Sequence, residues 1–92
     1  MLEIVASNQF RRDLKTLLRQ GCNMDLLDQV IQLLAEQKPL PRRNADHPLT
    51  GNFAGCRECH IAPDWILIYK IKKDVLELYL MSTGTHSDLY KK

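Results

Sequence analysis

Apolar positions in the N-terminal half of the chain recur with the 3.6-residue period of helices, and those near the C-terminus with the rhythm of strands. Leu2-Glu3-Ile4-Val5 is a short β-prone run. Phe10, Leu14, Leu17 and Leu18 then stand at i, i+4, i+7 and i+8, one face of a helix whose other face carries Arg11, Arg12, Lys15 and Arg19. Ser7 or Asn8 can cap that helix, since a short polar side chain accepts from the free N–H groups of the first turn. Gly21 stops it. Asn23 caps a second helix with Leu26, Leu27, Val30, Ile31 and Leu34 on its apolar stripe. Lys38-Pro39-Leu40-Pro41 ends that helix, because proline disfavours helical backbone in the residue before it.

From Arg42 to Gly55 the pattern is polar and irregular, a loop of roughly 12–15 residues, longer than compact domains tolerate without a functional reason. Strand patterns follow: Arg57 to Ile61, a break at Ala62-Pro63-Asp64, then Trp65 to Ile71, apolar on both faces and therefore central in a sheet. Lys72-Lys73-Asp74 turns the chain into Val75–Met81, with Leu76, Leu78 and Leu80 facing one side. Thr83-Gly84-Thr85 breaks that strand, and His86–Tyr90 is a short terminal turn or strand. The order β-α-α-β-β-β predicts an α+β domain, a helical hairpin packed on a small antiparallel sheet.

Composition adds bounds. A chain of 92 residues holds one small domain, burying roughly 60–65% of its unfolded surface. Large enzyme folds are thereby excluded. Apolar residues make up 45% and charged residues 26%, with a net charge of +2, which permits an anionic partner without demanding one. No apolar run approaches the ~20 residues of a membrane span, and Met1-Leu2-Glu3-Ile4-Val5 lacks the look of a secretory signal. Cys22, Cys56 and Cys59 cannot all pair within one chain. The expectation is a cytoplasmic domain with reduced thiols and no membrane partner.

Candidate chemistry rests on the three histidines. His47, His60 and His86 all fall at loop or strand-end positions, where residues flanking adjacent strands can converge. Histidine gives and takes protons near neutrality. Two histidines with Asp64 would supply a base for an RNA 2′-hydroxyl and an acid for the departing 5′-oxygen. Arg57 or a nearby lysine would offset charge on the phosphate. Tyr90, outside any apolar pattern and near His86, offers a ring for base stacking, whereas Trp65 and Tyr69 read as core. The basic face of the first helix is either solvated or tracks phosphates.

Two metal readings compete. Cys56-Arg57-Glu58-Cys59-His60 fits the C-x-x-C-H pattern of c-type haem attachment, which requires an export context. Zinc on Cys56, Cys59, His60 and His86 is chemically reasonable, but on an extended strand the two cysteines point to opposite faces. Neither is expected; the thiols read as ordinary small side chains beside a functional histidine.

Asp46-His47-Pro48-Leu49, then Gly51, Gly55, Arg57 and His60, then Pro63-Asp64-Trp65-Ile66-Leu67-Ile68-Tyr69-Lys70, and finally Gly84-Thr85-His86-Ser87-Asp88-Leu89 form a long ordered pattern. It resembles that of the YafQ family, toxins of type II toxin–antitoxin systems within the RelE/ParE superfamily. The resemblance covers residues 1–92 as one RelE-like toxin domain. It implies a small antiparallel sheet with two N-terminal helices against it. It also implies ribosome-dependent, metal-independent and cofactor-free cleavage of mRNA in the ribosomal A site, halting translation. His47, His60, Asp64 and His86 match the family's catalytic positions, His86 its proton donor. Arg57 matches a basic position, for which we expect phosphate contact. Tyr90 stands where the family usually has phenylalanine, keeping the ring and adding a hydroxyl. Lys91 and Lys92 extend past the usual end, and Cys56 and Cys59 are outside the pattern. The implied partners are a DinJ-like ribbon-helix-helix antitoxin, the ribosome and mRNA, with operator DNA bound only through the antitoxin. Two other outcomes share the scaffold: a ParE-like toxin that inhibits gyrase without cutting RNA, and an inactive co-repressor.

Overall fold

The computed structural model describes residues 1–90. Its chain opens with strand β1 (Glu3–Ala6), followed by helices α1 (Asn8–Arg19) and α2 (Met24–Ala35). Ser7 caps α1, its hydroxyl oxygen accepting from Phe10 N–H, and the same hydroxyl donates to the Met81 carbonyl at 2.6 Å. Asn23 caps α2 through Asp25 N–H. That helix closes before its prolines, because Gln37 turns left-handed at φ 58° and Lys38 N–H donates back to the Leu33 carbonyl, a closure that satisfies late carbonyls.

Within the predicted loop lie two short 3₁₀ turns, Arg42–Asn44 and Gly51–Phe53, flanking a two-residue strand β2 (His47–Pro48). Strands β3 (Arg57–Ala62), β4 (Trp65–Lys72) and β5 (Glu77–Gly84) follow, and a four-residue helix α3 (His86–Leu89) ends the described chain. Lys91 and Lys92 lie outside the described residues.

The five strands form one sheet in the order β1-β5-β4-β3-β2, with β4 at its centre. Neighbours are antiparallel except at one edge, where β1 runs parallel to β5. The helical hairpin between β1 and the rest of the sheet permits this pairing: parallel neighbours need a long crossover, and α1 and α2 supply it. The last strand starts later than the alternation suggests, because Leu76 takes a left-handed turn at φ 54° and is exposed. It also runs through Thr83-Gly84. Thr83 is buried, its hydroxyl accepting from Trp65 Nε1–H and donating to the Ile66 carbonyl, and its N–H meets Asp13 on α1. Pairing with β4 holds extended a tripeptide that composition alone reads as a turn.

One face of the sheet packs on the helices. Phe10 and Leu17 from α1, and Leu27, Val30 and Leu34 from α2, meet Cys59, Ile61, Leu67, Tyr69, Leu78 and Leu80. Leu18 and Leu26 stand at the margins of their stripes, largely outside the core. The alternate residues of β4, Ile66 and Ile68, are fully buried on the other face. They pair in register with His60 and Glu58 on one side and with Gly84 and Ser82 on the other. Two apolar residues thus form the floor beneath the polar cluster described below.

Burial pushes the Cys59 thiol up to about 12. The unfolded chain therefore releases this proton first. The native state binds it more tightly, so the stability contributed below the ordinary thiol value is lost progressively as pH rises from about 9 toward about 12. Tyr69, held above the usual phenol range by burial and its bond to Asp46, adds to the same slope. Urea midpoints measured between pH 8 and 11 are expected to fall, and Cys59→Ala to flatten the curve. A flat wild-type curve contradicts the assignment.

Candidate active site

Four elements converge beside the Ile66–Ile68 floor: β3, the loop carrying His47, the start of α3, and the residue that ends it. Glu58 stands at the centre. On a strand, residues two apart share a face, so Glu58 and His60 rise together while Arg57, Cys59 and Ile61 belong to the helix-facing side. Glu58 is 4% exposed. A carboxylate buried to that degree is costly unless polar partners meet it, and here a phenol and three imidazole rings stand around it. His47 Nε2 and His86 Nε2 each lie 3.5 Å from Glu58 Oε1, and His60 Nε2 lies 3.8 Å from the same oxygen. Tyr90 donates its hydroxyl to the other oxygen, Oε2, at 2.5 Å. The imidazole distances exceed those of direct hydrogen bonds: three rings gather around one carboxylate at ion-pair range, and a phenol is bonded to it directly.

Each ring has its own support. His47 Nδ1 donates to the Ala45 carbonyl at 2.7 Å, aiming Nε2 inward. The preceding residue, Asp46, accepts from Tyr69 OH at 2.5 Å and Arg57 Nε at 3.3 Å. This anchor ties the His47 loop to the sheet, and it raises both the guanidinium and the phenol. Asn44, buried, donates to the His60 carbonyl, locking the same loop to β3. His86 is placed by the junction of β5 and α3. Gly84 has φ 155° and its Cα faces Leu89, so the chain turns there without a side chain to strain it. Thr85 then caps α3. The His60 and His86 rings stand 5.3 Å apart, tilted by 48°. Tyr90 stacks on His86 at 6.0 Å and meets the edge of Phe53 at 5.4 Å. Side chains of His47 and His86 remain 47% and 44% exposed, against 5% for Glu58, so the cluster opens to solvent on its histidine side.

The structure therefore brings together His47, His60, His86 and Tyr90. It does not bring Asp64 or Arg57 to them. Asp64 is exposed in the β3–β4 turn, and no hydrogen bond or ion pair joins it to a histidine among the described residues. Arg57 is engaged with Asp46 on the helix-facing side. Glu58 is the residue that the sequence reading passes over, as one of two charged residues between cysteines. The signal was present: β alternation places Glu58 on the face of His60, opposite the buried isoleucines of the central strand.

The cysteines supply no ligand atom to the cluster among the described residues. Cys59 is fully buried in the helix-facing core, and all three thiols are free. The four-ligand zinc set of Cys56, Cys59, His60 and His86 is not formed. Glu58, His60 and His86 do place one ligand atom each within 4.8 Å of one another, a carboxylate–imidazole set of the kind that suits zinc or copper.

Residues 2–91 match the family described as "Bacterial toxin of type II toxin-antitoxin system, YafQ". The mRNA interferase toxin YafQ of Escherichia coli strain K12 is 38% identical over 89 residues, 96% of this chain and 95% of that one. A metal-bound toxin from Helicobacter pylori superposes with a TM-score of 0.92 at 44% identity, covering 97% of this chain and 99% of the other. The toxin in the Escherichia coli DinJ–YafQ complex does so with a TM-score of 0.88 at 37% identity, covering 98% and 99%. With the family match spanning nearly the whole chain and both fold and length shared with such relatives, the chain belongs to the YafQ family of bacterial type II toxins.

Proposed function

We propose that this chain is an mRNA interferase, a ribosome-dependent endoribonuclease that cuts mRNA in the A site by acid–base chemistry and so halts translation. The observation that carries the reading is the convergence of three imidazoles on one buried carboxylate at an open sheet edge. RNA carries its own nucleophile, the 2′-hydroxyl, so the protein need only remove that proton and return one to the 5′-oxygen. The Glu58-centred set offers both: Glu58 with His47 and His60 on the accepting side, and His86 on α3 as donor. Imidazolium charge beside the phosphate would offset the developing negative charge. The Tyr90 ring is the stacking surface for a flanking base. Arg57 serves mainly to hold the His47 loop through Asp46, and Asp64, at the exposed hairpin tip, is left to meet RNA passing over that tip.

A divalent metal on Glu58, His60 and His86 would supply Lewis acidity there, and it would occupy the groups that this chemistry needs free. The metal-bound Helicobacter pylori relative makes such binding reasonable in this chain too. A DinJ-like ribbon-helix-helix antitoxin is the expected partner, by similarity to the toxin of the DinJ–YafQ complex, with operator DNA contacted through it. The workplace is the cytoplasm, where ribosomes are.

Brief expression without antitoxin tests the reading. Incorporation of labelled amino acid should fall before that of labelled thymidine, and mRNA ends should map to codon-phased cuts that require translation. If thymidine incorporation fails first and no phased ends appear, the chain acts as a gyrase inhibitor. Arrest of neither process would leave a co-repressor.

A further inference from the structure

Tyr90 is tied down in a way that base stacking alone does not explain. Its hydroxyl donates to Glu58 Oε2 at 2.5 Å, its edge-on contact with Phe53 has centroids 5.4 Å apart, and its ring covers His86 at 6.0 Å. The phenol thus places an O–H group on a 4% exposed carboxylate whose other oxygen faces three imidazoles. Tyr90 itself is 39% exposed and ends α3, a helix of four residues. A half-exposed ring on so short a helix has few contacts to give up when it moves. The buried acceptor of the site is therefore filled by a hydroxyl from a half-exposed residue.

We propose that the Tyr90 hydroxyl occupies, in the free toxin, the place that the RNA 2′-hydroxyl takes at Glu58 Oε2, so that substrate must exchange one O–H donor for another before cleavage. The inference rests on the endoribonuclease reading and deepens it, naming Glu58 as the base. When RNA enters, the phenol leaves Oε2 and its ring is released to stack on a base. Glu58 then takes the 2′-hydroxyl proton as the 2′-oxygen bonds to phosphorus. The P–O5′ bond breaks, and His86 delivers a proton to the departing oxygen. A 2′,3′-cyclic phosphate and a 5′-hydroxyl result, with the protein one proton richer at Glu58 and one poorer at His86.

A latch of this kind is a tax on binding. Apparent affinity falls by the fraction of molecules whose acceptor is free. Removing the hydroxyl while keeping the ring should lift that tax. The variant Tyr90→Phe is isosteric but for one oxygen and cannot bond Glu58. On ribosomes programmed with a defined mRNA, its half-saturating toxin concentration should fall about 10-fold, the worth of one hydrogen bond to a charged group. Tyr90→Leu removes hydroxyl and ring together and should lose maximal rate, which shows that the gain belongs to the hydroxyl.

A second readout follows the phenol itself. The ¹³C resonance of the Tyr90 ring carbon bearing oxygen, assigned with Tyr90→Phe, should shift when the programmed ribosome carries mRNA whose cleavage-site 5′-oxygen is replaced by methylene, which binds without being cut. It should not shift when that site also lacks its 2′-hydroxyl. A half-saturating concentration unchanged or raised in Tyr90→Phe overturns the latch, as does the same resonance shift with both RNAs. Wild-type toxin that cuts no mRNA at all would instead overturn the endoribonuclease reading, so the two failures are distinguishable.

Discussion

Replacing His86 by alanine is expected to lower the cleavage rate by roughly 10²–10⁴, the usual worth of one general acid. After the 2′-oxygen attacks, the departing 5′-oxygen leaves poorly unless it is protonated as the P–O bond breaks. His86 sits at the first position of α3, half exposed, with Nε2 at 3.5 Å from Glu58 Oε1, so its inner nitrogen faces the carboxylate on the rim of an open site. Folding should change little, since the ring adds little to the core and α3 keeps its Thr85 cap and its Leu89 contact with Gly84. An RNA whose 5′-bridging oxygen is replaced by sulfur decides the role. Sulfur leaves without a proton, so His86→Ala should regain much of the wild-type rate on that substrate. Equal defects on both RNAs would remove His86 from the acid role and leave it as a positioning residue.

Glu58→Gln is expected to lower cleavage by a similar roughly 10²–10⁴-fold, for a different reason. The amide keeps the shape of the side chain and can still accept from Tyr90, so the phenol and α3 should stay in place. What disappears is the negative charge on which the three imidazoles converge, and with it the group able to take a proton from the nucleophile. Stability should move far less than activity, because the substitution also removes the desolvation cost of a buried charge. Single-turnover cleavage beside a urea midpoint separates the two effects. The sulfur substrate should not rescue this variant, since the missing step precedes leaving-group departure. Cleavage near the wild-type rate would take Glu58 out of the chemistry.

The elements of this fold were readable where local physics sets them. Ser7 and Asn23 cap the helices as expected, the Phe10–Leu17 and Leu27–Leu34 stripes face the sheet, and Trp65 to Ile71 lies on the central strand. The features that escaped depend on pairing between distant segments. Nothing local announces that residues 3–6 run parallel to the last strand, or that His47–Pro48 pairs with β3. Thr83-Gly84 stays extended because Trp65 and Asp13 hold it. The histidines could be named from their positions at strand and loop ends, and they do meet. Glu58 was harder to see: a charged residue in a strand reads as solvent-facing until the opposite rings are known. Arg57 drew the expected attention for its charge, yet strand alternation commits it to the other face, where Asp46 receives it.

The pairing of the first strand with the last bears on how this toxin comes into being. Ser7 bonds Met81 across 74 positions, and among the described residues β1 has its sheet neighbour only in β5. During synthesis, which proceeds from the N-terminus, the helical hairpin emerges long before the surface it must cover. Its apolar stripes then have no sheet to bury them, and contacts so distant in sequence form late. His86 and Tyr90 come later still. A nascent chain therefore carries no assembled histidine cluster until residues 86–90 have emerged, and the order of synthesis keeps the site incomplete while the helices wait for their sheet.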